Sequence, residues 1–288
     1  MAYGDVVRFD SILVLESLPP GEQKTGTLLF DTVLKPWADA NPPFTVHFNE
    51  ITSKAHFMAA LVAVQDQMFS RGRSPILHIE AHGDAESIIL ANGDRVEWQE
   101  MRLILTAINA SCGFNLLLVM AMCQGWWLSR LLLPTHPSPV WGVLGPTERV
   151  RNSELRDAMR IFYRELLKTF DARKALELMN RDKAFKDWDY KLETAELMYC
   201  KVFRRYQKEY CTGDQLVARE NEAVAEIVQR NNRDIRVAFE ARERARRLLR
   251  DPRQFFDFYR TNFFMLDSAT ADPARFKLTY EDCVAAAD

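Results

Sequence analysis

The sequence predicts an α/β fold built on a mainly parallel sheet, followed by an all-helical extension. Three observations lead there. In residues 1–150, short and nearly continuous apolar runs alternate with stretches of helical periodicity, the pattern of parallel strands covered on both faces. Ten of the eleven Gly and ten of the twelve Pro lie before residue 151, so nearly all the strong turn punctuation falls in the first half. The charge balance changes at the same place, from 10 basic and 15 acidic side chains in residues 1–150 to 28 and 25 in residues 151–288.

Taken in order, Ser11–Ser17 (SILVLES), Phe44–Ile51 (FTVHFNEI), Pro75–Gly83 (PILHIEAHG), Phe114–Gln124 (FNLLLVMAMCQ) and Val140–Leu144 (VWGVL) read as strands. Between the second and third lies a helix over 53–70, with Ser53 as its N-cap and Phe57, Leu61, Val64 and Met68 on one face. A second helix over 97–110 carries Met101, Leu105 and Ile108 on its apolar face. Asn92-Gly93 marks a hairpin inserted between the third strand and that helix. Beyond residue 150 the periodicity is helical: Leu155, Met159, Phe162 and Leu166, then Val217, Val224, Val228, Ile235 and Phe239. No internal repeat or low-complexity tract interrupts the chain.

With 288 residues and 48% hydrophobic side chains the chain can bury one or two cores, which excludes a disordered or disulfide-stapled miniprotein. A net charge of -2 gives no general attraction to nucleic acid or to an anionic membrane. The most apolar stretch, Leu116–Leu133, is broken by Gln124, Gly125, Ser129 and Arg130 and reads as core, not as a membrane span. The start MAYGDVVRFD has neither the basic region nor the apolar block of a signal peptide, so a cytoplasmic protein is expected and its five cysteines are expected to be thiols.

Two strand ends carry the chemistry. Ile79-Glu80-Ala81-His82-Gly83 and Val119-Met120-Ala121-Met122-Cys123-Gln124-Gly125 each place a reactive side chain where an apolar run stops. Consecutive strands of a parallel sheet become neighbours through right-handed crossovers, and ligands bind at their carboxyl ends. His82 and Cys123 are therefore expected side by side, the pairing that lowers a thiol's pKa and protonates a leaving amine. The backbone N–H groups of Gly83 and Cys123 are candidates for an oxyanion hole. A lone Cys at a strand end is otherwise a packing residue. Cys112, Cys200, Cys211 and Cys283 are assigned to packing or to the surface.

Rival readings attach to the same residues. His78, Glu80 and His82 alternate on one strand face and match a zinc-binding strand, which makes a metal-dependent hydrolase the alternative. Gly21-Glu-Gln-Lys-Thr-Gly26-Thr27 lacks the Lys that a phosphate loop needs after its last Gly, and nucleotide binding is rejected. Arg230–Arg253 holds nine Arg against four acids, with Phe239 the one aromatic among them. It reads as a solvated helical face with pairs such as Glu240 with Arg244 and Glu243 with Arg247, and direct nucleic-acid binding is not expected. The aromatics that follow, Phe255–Tyr259 and Phe263–Leu266, are expected to dock the last helices onto a core.

The pattern of apolar strand, His82-Gly83, hairpin, apolar strand and Cys123-Gln124-Gly125 resembles the caspase-like cysteine peptidases, and most of all their bacterial CHAT branch. Val140–Thr147, Phe162-Tyr163-Arg-Glu-Leu-Leu167 and Lys174-Ala-Leu176 are similar to the later strand and helices of that family, so the resemblance covers roughly residues 8–180. It implies a caspase-like three-layer sandwich over 1–180, a regulatory or partner-binding helical extension over 181–288, and a Cys123/His82 catalytic pair that needs no cofactor and no metal. It also implies an intracellular endopeptidase cleaving one or a few protein substrates in bacterial signalling or antiphage defence, under a regulatory protein partner that binds the helical half. A catalytically idle scaffold of the same fold is the further alternative. Where animal caspases carry Gln-Ala-Cys-Arg-Gly, this chain has Met122-Cys123-Gln124-Gly125, so aspartate specificity is not supported. Lys24, which lies where caspases have an Arg-x-Gly-Thr loop, faces either a substrate side chain or solvent. Asp84, Glu86, Gln124 and Glu148 line the same predicted edge, and the acids among them would suit a basic substrate residue. The Pro-containing loop Leu133–Pro139 is where self-cleavage would fall.

Overall fold

The computed structural model describes residues 9–71, 74–181, 190–230, 239–240, 243, 246–247, 250–268 and 276–285. Two compact units divide the chain. The described residues of 1–132, 138–195 and 268–272 form the first, and those of 133–137, 196–267 and 273–288 the second.

The first unit is built on one sheet. Strands β1 (Ser11–Ser17), β2 (Thr45–Glu50), β3 (Pro75–Gly83), β6 (Leu117–Ala121), β7 (Gly142–Pro146) and β8 (Tyr190–Thr194) lie in the order β2-β1-β3-β6-β7-β8. All neighbours pair in parallel except β7 and β8, which are antiparallel. The short strands β4 (Ser87–Ile89) and β5 (Arg95–Glu97) form the hairpin expected at Asn92-Gly93 and extend β3 beyond the main sheet. Gly93 has φ +86°, which the turn requires. The central strands are buried on both faces, as their unbroken apolar runs demand: Ile12, Val14, Ile76, Leu77, Val119 and Met120 are all inaccessible to solvent.

Helix α1 (Thr25–Leu29) continues through a π turn (Phe30–Leu34) into α2 (Lys35–Ala40). Helices α3 (Lys54–Arg71) and α4 (Trp98–Ser111) pack on each other, and α5 (Asn152–Thr169) packs on α1 and on α6 (Ala172–Arg181). Ser53 caps α3 as expected, its hydroxyl accepting from the His56 N–H at 3.2 Å. A 3₁₀ helix over Gly125–Leu131 follows β6.

Two expectations need correction. The helical tract does not begin at residue 181, because Tyr190–Thr194 is the last strand of the sheet. Its register against β7 runs from Tyr190 opposite Pro146 to Thr194 opposite Gly142. A five-residue edge strand is too short to outweigh the helical periodicity around it in the sequence, and only pairing with β7 satisfies its backbone groups.

The second correction concerns the cysteines. Cys200 on α7 (Ala195–Tyr210) is bonded to Cys283 on the short helix α10 (Tyr280–Ala285), while Cys112, Cys123 and Cys211 are free. Eighty-three residues separate the two bonded cysteines, so no spacing motif announces them. Disulfides persist in oxidising surroundings, which sets this pair against the cytoplasmic expectation. Thiol titration of the unfolded, unreduced protein is expected to find three reactive cysteines. A count of five would show that the pair is reduced.

The second unit has its own core. Tyr199 and Phe203 of α7 meet Phe256 and Phe263 of α9 (Pro252–Phe263), with Phe264 and Phe276 beside them, and the Tyr199 hydroxyl donates to the Phe256 carbonyl at 2.6 Å. The aromatic cluster after residue 254 thus supplies core side chains, although Phe258 stays 68% exposed. On α8 (Gly213–Arg230), Glu220 pairs with Arg246 and Arg250, and Glu243 pairs with Arg246. Arg244 and Ile235 lie outside the described residues. Among the described residues no helix is long and apolar enough to cross a membrane.

Candidate active site

The His and Cys strand ends are neighbours. β3 and β6 pair in parallel, with Glu80 opposite Ala121 as the last paired residues, and His82 and Cys123 each stand two residues farther on. Gly83 closes the distance between the strands. A Cβ atom there would lie 2.8 Å from Met122 Sδ and 3.0 Å from the Cys123 carbonyl oxygen, so any side chain at 83 would push the Cys123 turn away.

Cys123 itself lies in a sharp turn between β6 and the 3₁₀ helix. Gln124 takes the left-handed conformation (φ 57°), rarely held by residues other than Gly. The turn is locked by backbone packing. A Cβ at Gly125 would lie 2.6 Å from Met120 Cβ, and one at Gly145 on β7 would lie 2.7 Å from the Trp126 nitrogen and 2.9 Å from the Gly125 carbonyl carbon. The loop after β7 crosses over this turn: the Gln124 N–H donates to the Glu148 carbonyl at 3.0 Å and the Trp127 indole donates to the Thr147 carbonyl at 3.2 Å.

The two candidate oxyanion donors are placed as follows. Gly83 is paired with Ile88 in the antiparallel β3/β4 ladder, and just beyond it the Asp84 N–H donates to the Ser87 carbonyl at 3.1 Å. The N–H groups of Met122, Gln124 and Gly125 donate to the carbonyls of Met120, Glu148 and Met122, whereas the Cys123 N–H has no acceptor among the described residues.

The reactive side chains do not bond to each other. Cys123 Sγ accepts from the Val150 N–H at 3.4 Å and lies 3.6 Å from the Val150 carbonyl. His82 Nε2 lies 3.0 Å from Glu22 Oε1. Tyr190, at the start of β8, is buried near Glu154, Cys123 and Glu80. Burial first, and then the negative charge of those groups, pushes its phenol well above the usual range.

Beneath the edge lies a buried polar network. Glu80 is 2% exposed and shares a register position with Glu16, itself 1% exposed. His78 Nε2 bonds to Glu80 at 3.2 Å and its Nδ1 to the Tyr163 hydroxyl at 3.1 Å, while the Thr25 hydroxyl donates to Glu80. Glu16 accepts from the Gly26 and Thr27 N–H groups and from the Thr27 hydroxyl. Burial raises the Glu80 carboxyl, His78 opposes that rise, and the charge of Glu16 adds to it.

His78, Glu80 and His82 share one face of β3, but the first two bond to each other and the third to Glu22. Among the described residues no group of three or more His, Cys, Asp or Glu side chains is placed to hold a metal ion.

The remaining candidates have other partners. Lys24 donates to the Leu18 carbonyl at 2.7 Å and to Glu50 at 2.9 Å, at the end of β2, two strands away from β3. Asp84 holds the turn after β3. Partial burial works against its charge, but hydrogen bonds from Glu86, Arg95 and Ser87 outweigh that and keep its carboxyl below the usual range. Glu86 and Glu148 are exposed, and Glu148 bonds through its backbone carbonyl. Glu22, Val150 and Tyr190 are absent from the sequence-based candidates. Nothing local in the chain distinguishes Glu22 from Lys24, two residues on in the same loop.

No protein-family model matches this chain, and no curated protein matches it in sequence.

Proposed function

We propose that this protein is a cysteine endopeptidase of the caspase-like type, with Cys123 as nucleophile and His82 as general base and acid. The observation that carries the reading is the equivalent placement of the two residues, each two positions past the last paired residues of adjacent parallel strands. His82 takes the thiol proton as Sγ adds to the scissile carbonyl carbon, and the Gly83 and Cys123 N–H groups receive the oxyanion. Collapse breaks the C–N bond, and the imidazolium hands its proton to the leaving amine. Water, deprotonated by His82, then hydrolyses the thioester, releasing the carboxylate product and restoring the thiol. The Cys123 thiol is bonded to the Val150 backbone, so attack requires its rotation toward His82. Catalytic hydrogen bonds often form only with substrate bound. In this reading the substrates are proteins, and the second unit is where a regulatory partner binds.

Labelling tests it. A peptidyl chloromethyl ketone is expected to alkylate Cys123 ahead of Cys211, the other partly accessible free thiol, as read by peptide mass spectrometry. His82→Ala is expected to slow Cys123 labelling by about 100-fold, the lower end of what general acid–base assistance supplies. Equal labelling of both thiols, unchanged by His82→Ala, would overturn the proposal.

A further inference from the structure

The geometry points to Glu22 as the residue that positions His82, so that the site acts as a Cys123–His82–Glu22 chain. The inference rests on the peptidase reading above and adds its third member. Glu22 Oε1 lies 3.0 Å from His82 Nε2, while His82 Nδ1 meets no hydrogen-bond partner among the described residues. An ionised carboxylate only accepts, so in the neutral imidazole the proton must sit on Nε2. Nδ1 then keeps the lone pair that can receive the thiol proton. When His82 becomes an imidazolium, the adjacent carboxylate stabilises the new charge without taking the proton itself, the role an acid plays behind a catalytic histidine.

The loop is built to deliver that carboxylate. The Glu22 N–H donates to the Pro19 carbonyl at 3.3 Å across Pro20-Gly21, and Gly21 has φ +87°. This is a type II turn, with Pro at its second position and Gly at the third, where φ must be positive. Glu22 therefore follows a rigid bend at the end of β1 and does not hang from a free loop. Farther along, Thr25 and Thr27 are fastened to Glu80 and Glu16, and Lys24 closes the loop on the Leu18 carbonyl. The nearby ammonium of Lys24 is paired with Glu50, which leaves the Glu22 carboxylate to the imidazole. Glu22 Oε2 is buried and has no hydrogen-bond partner among the described residues, so no other protein group competes for it.

Ring nitrogen-15 NMR of histidine-labelled protein tests the assignment, with the His82 signals identified by His82→Ala. The wild type is expected to show the Nε2-protonated tautomer at neutral pH, with that proton slow to exchange. Glu22→Ala, which removes the acceptor of that proton, should speed its exchange at least about tenfold. Glu22→Gln, whose amide oxygen still accepts, should keep the tautomer but lose the charge. In parallel, iodoacetamide alkylation of Cys123 at neutral pH should slow at least about tenfold in both variants, with Gln no slower than Ala. Circular dichroism verifies the fold of each. A His82 Nε2 proton that exchanges no faster in Glu22→Ala than in wild type would overturn the assignment, even if Cys123 is preferentially labelled and the peptidase reading stands. If the exchange speeds up in Glu22→Ala but Cys123 reacts no faster than Cys211 in the wild type, Glu22 still positions His82 and the peptidase reading is the one that fails.

Discussion

Gly145→Ala is expected to destabilise the protein by about 3 kcal/mol, at the upper end of what one added methyl does in a close-packed interior. The added atom would lie 2.7 Å from the Trp126 nitrogen, 2.9 Å from the Gly125 carbonyl carbon and 3.1 Å from the Met120 carbonyl oxygen. All three are backbone atoms, so no side-chain rotation can relieve the overlap. They belong to the end of β6 and to the turn that carries Cys123, so the strain falls on the candidate nucleophile. Thermal unfolding should shift down by roughly 6–12 °C for a unit of this size, and selective labelling of Cys123 should be lost even where the fold persists. A midpoint within 1–2 °C of wild type, roughly what less than 1 kcal/mol would produce, would show that β6 and β7 can separate at no great expense.

Glu80→Ala is expected to have the second large effect, about 3–5 kcal/mol, as for other buried pairs that lose one member. It strands His78 Nε2 and the Thr25 hydroxyl in a region closed to water and opens a cavity above β3. Glu80→Gln, which keeps the volume, should be milder and should change the pH dependence in a defined direction. The Glu80 carboxyl is raised in the folded protein by burial, against the opposing pull of His78 and with the help of Glu16. The folded state therefore takes this proton before the unfolded chain does. Glu80 contributes least above its raised value, and its unfavourable contribution is relieved as pH falls through that value toward the ordinary 4.5. Chemical denaturation of both proteins across mildly acidic pH measures it. The wild type should gain stability relative to Glu80→Gln on acidification over that window, and a parallel pair of curves would contradict the assignment. Asp84, whose carboxyl is lowered, works the other way in both proteins and cancels in the comparison.

The effects of these two residues meet at one edge of the sheet. Glu80 and Glu16 hold the Thr25–Thr27 segment against the ends of β1 and β3, and the Pro19–Glu22 turn projects from the near end of the same loop. Gly83, Gly125 and Gly145 let the backbones of β3, β6 and β7 approach around Cys123. The buried network and the glycine contacts are thus two supports of one arrangement, the first beneath His82 and the second beneath Cys123.

Much of this was legible in the chain because it depends on local patterns. The bounds of β1 and β3 follow from their apolar runs, α3 and α4 from their helical spacing and the Ser53 cap, and the hairpin from Asn92-Gly93. Adjacency of the His82 and Cys123 strand ends follows from the rule that consecutive parallel strands become neighbours. The sequence placed both residues where their apolar runs stop, and that much depends only on periodicity. Tertiary structure alone decided which groups those side chains meet. Glu22, Val150 and Tyr190 reach the site through a turn, a crossing loop and an antiparallel edge strand, whose partners lie 60, 27 and more residues away in sequence. The Cys200–Cys283 bond, spanning 83 residues, is beyond local reading for the same reason. Periodicity reports which face of an element is buried. It carries no information about which distant polar atom completes a hydrogen bond there, because that choice is made by the packing of the whole sheet edge.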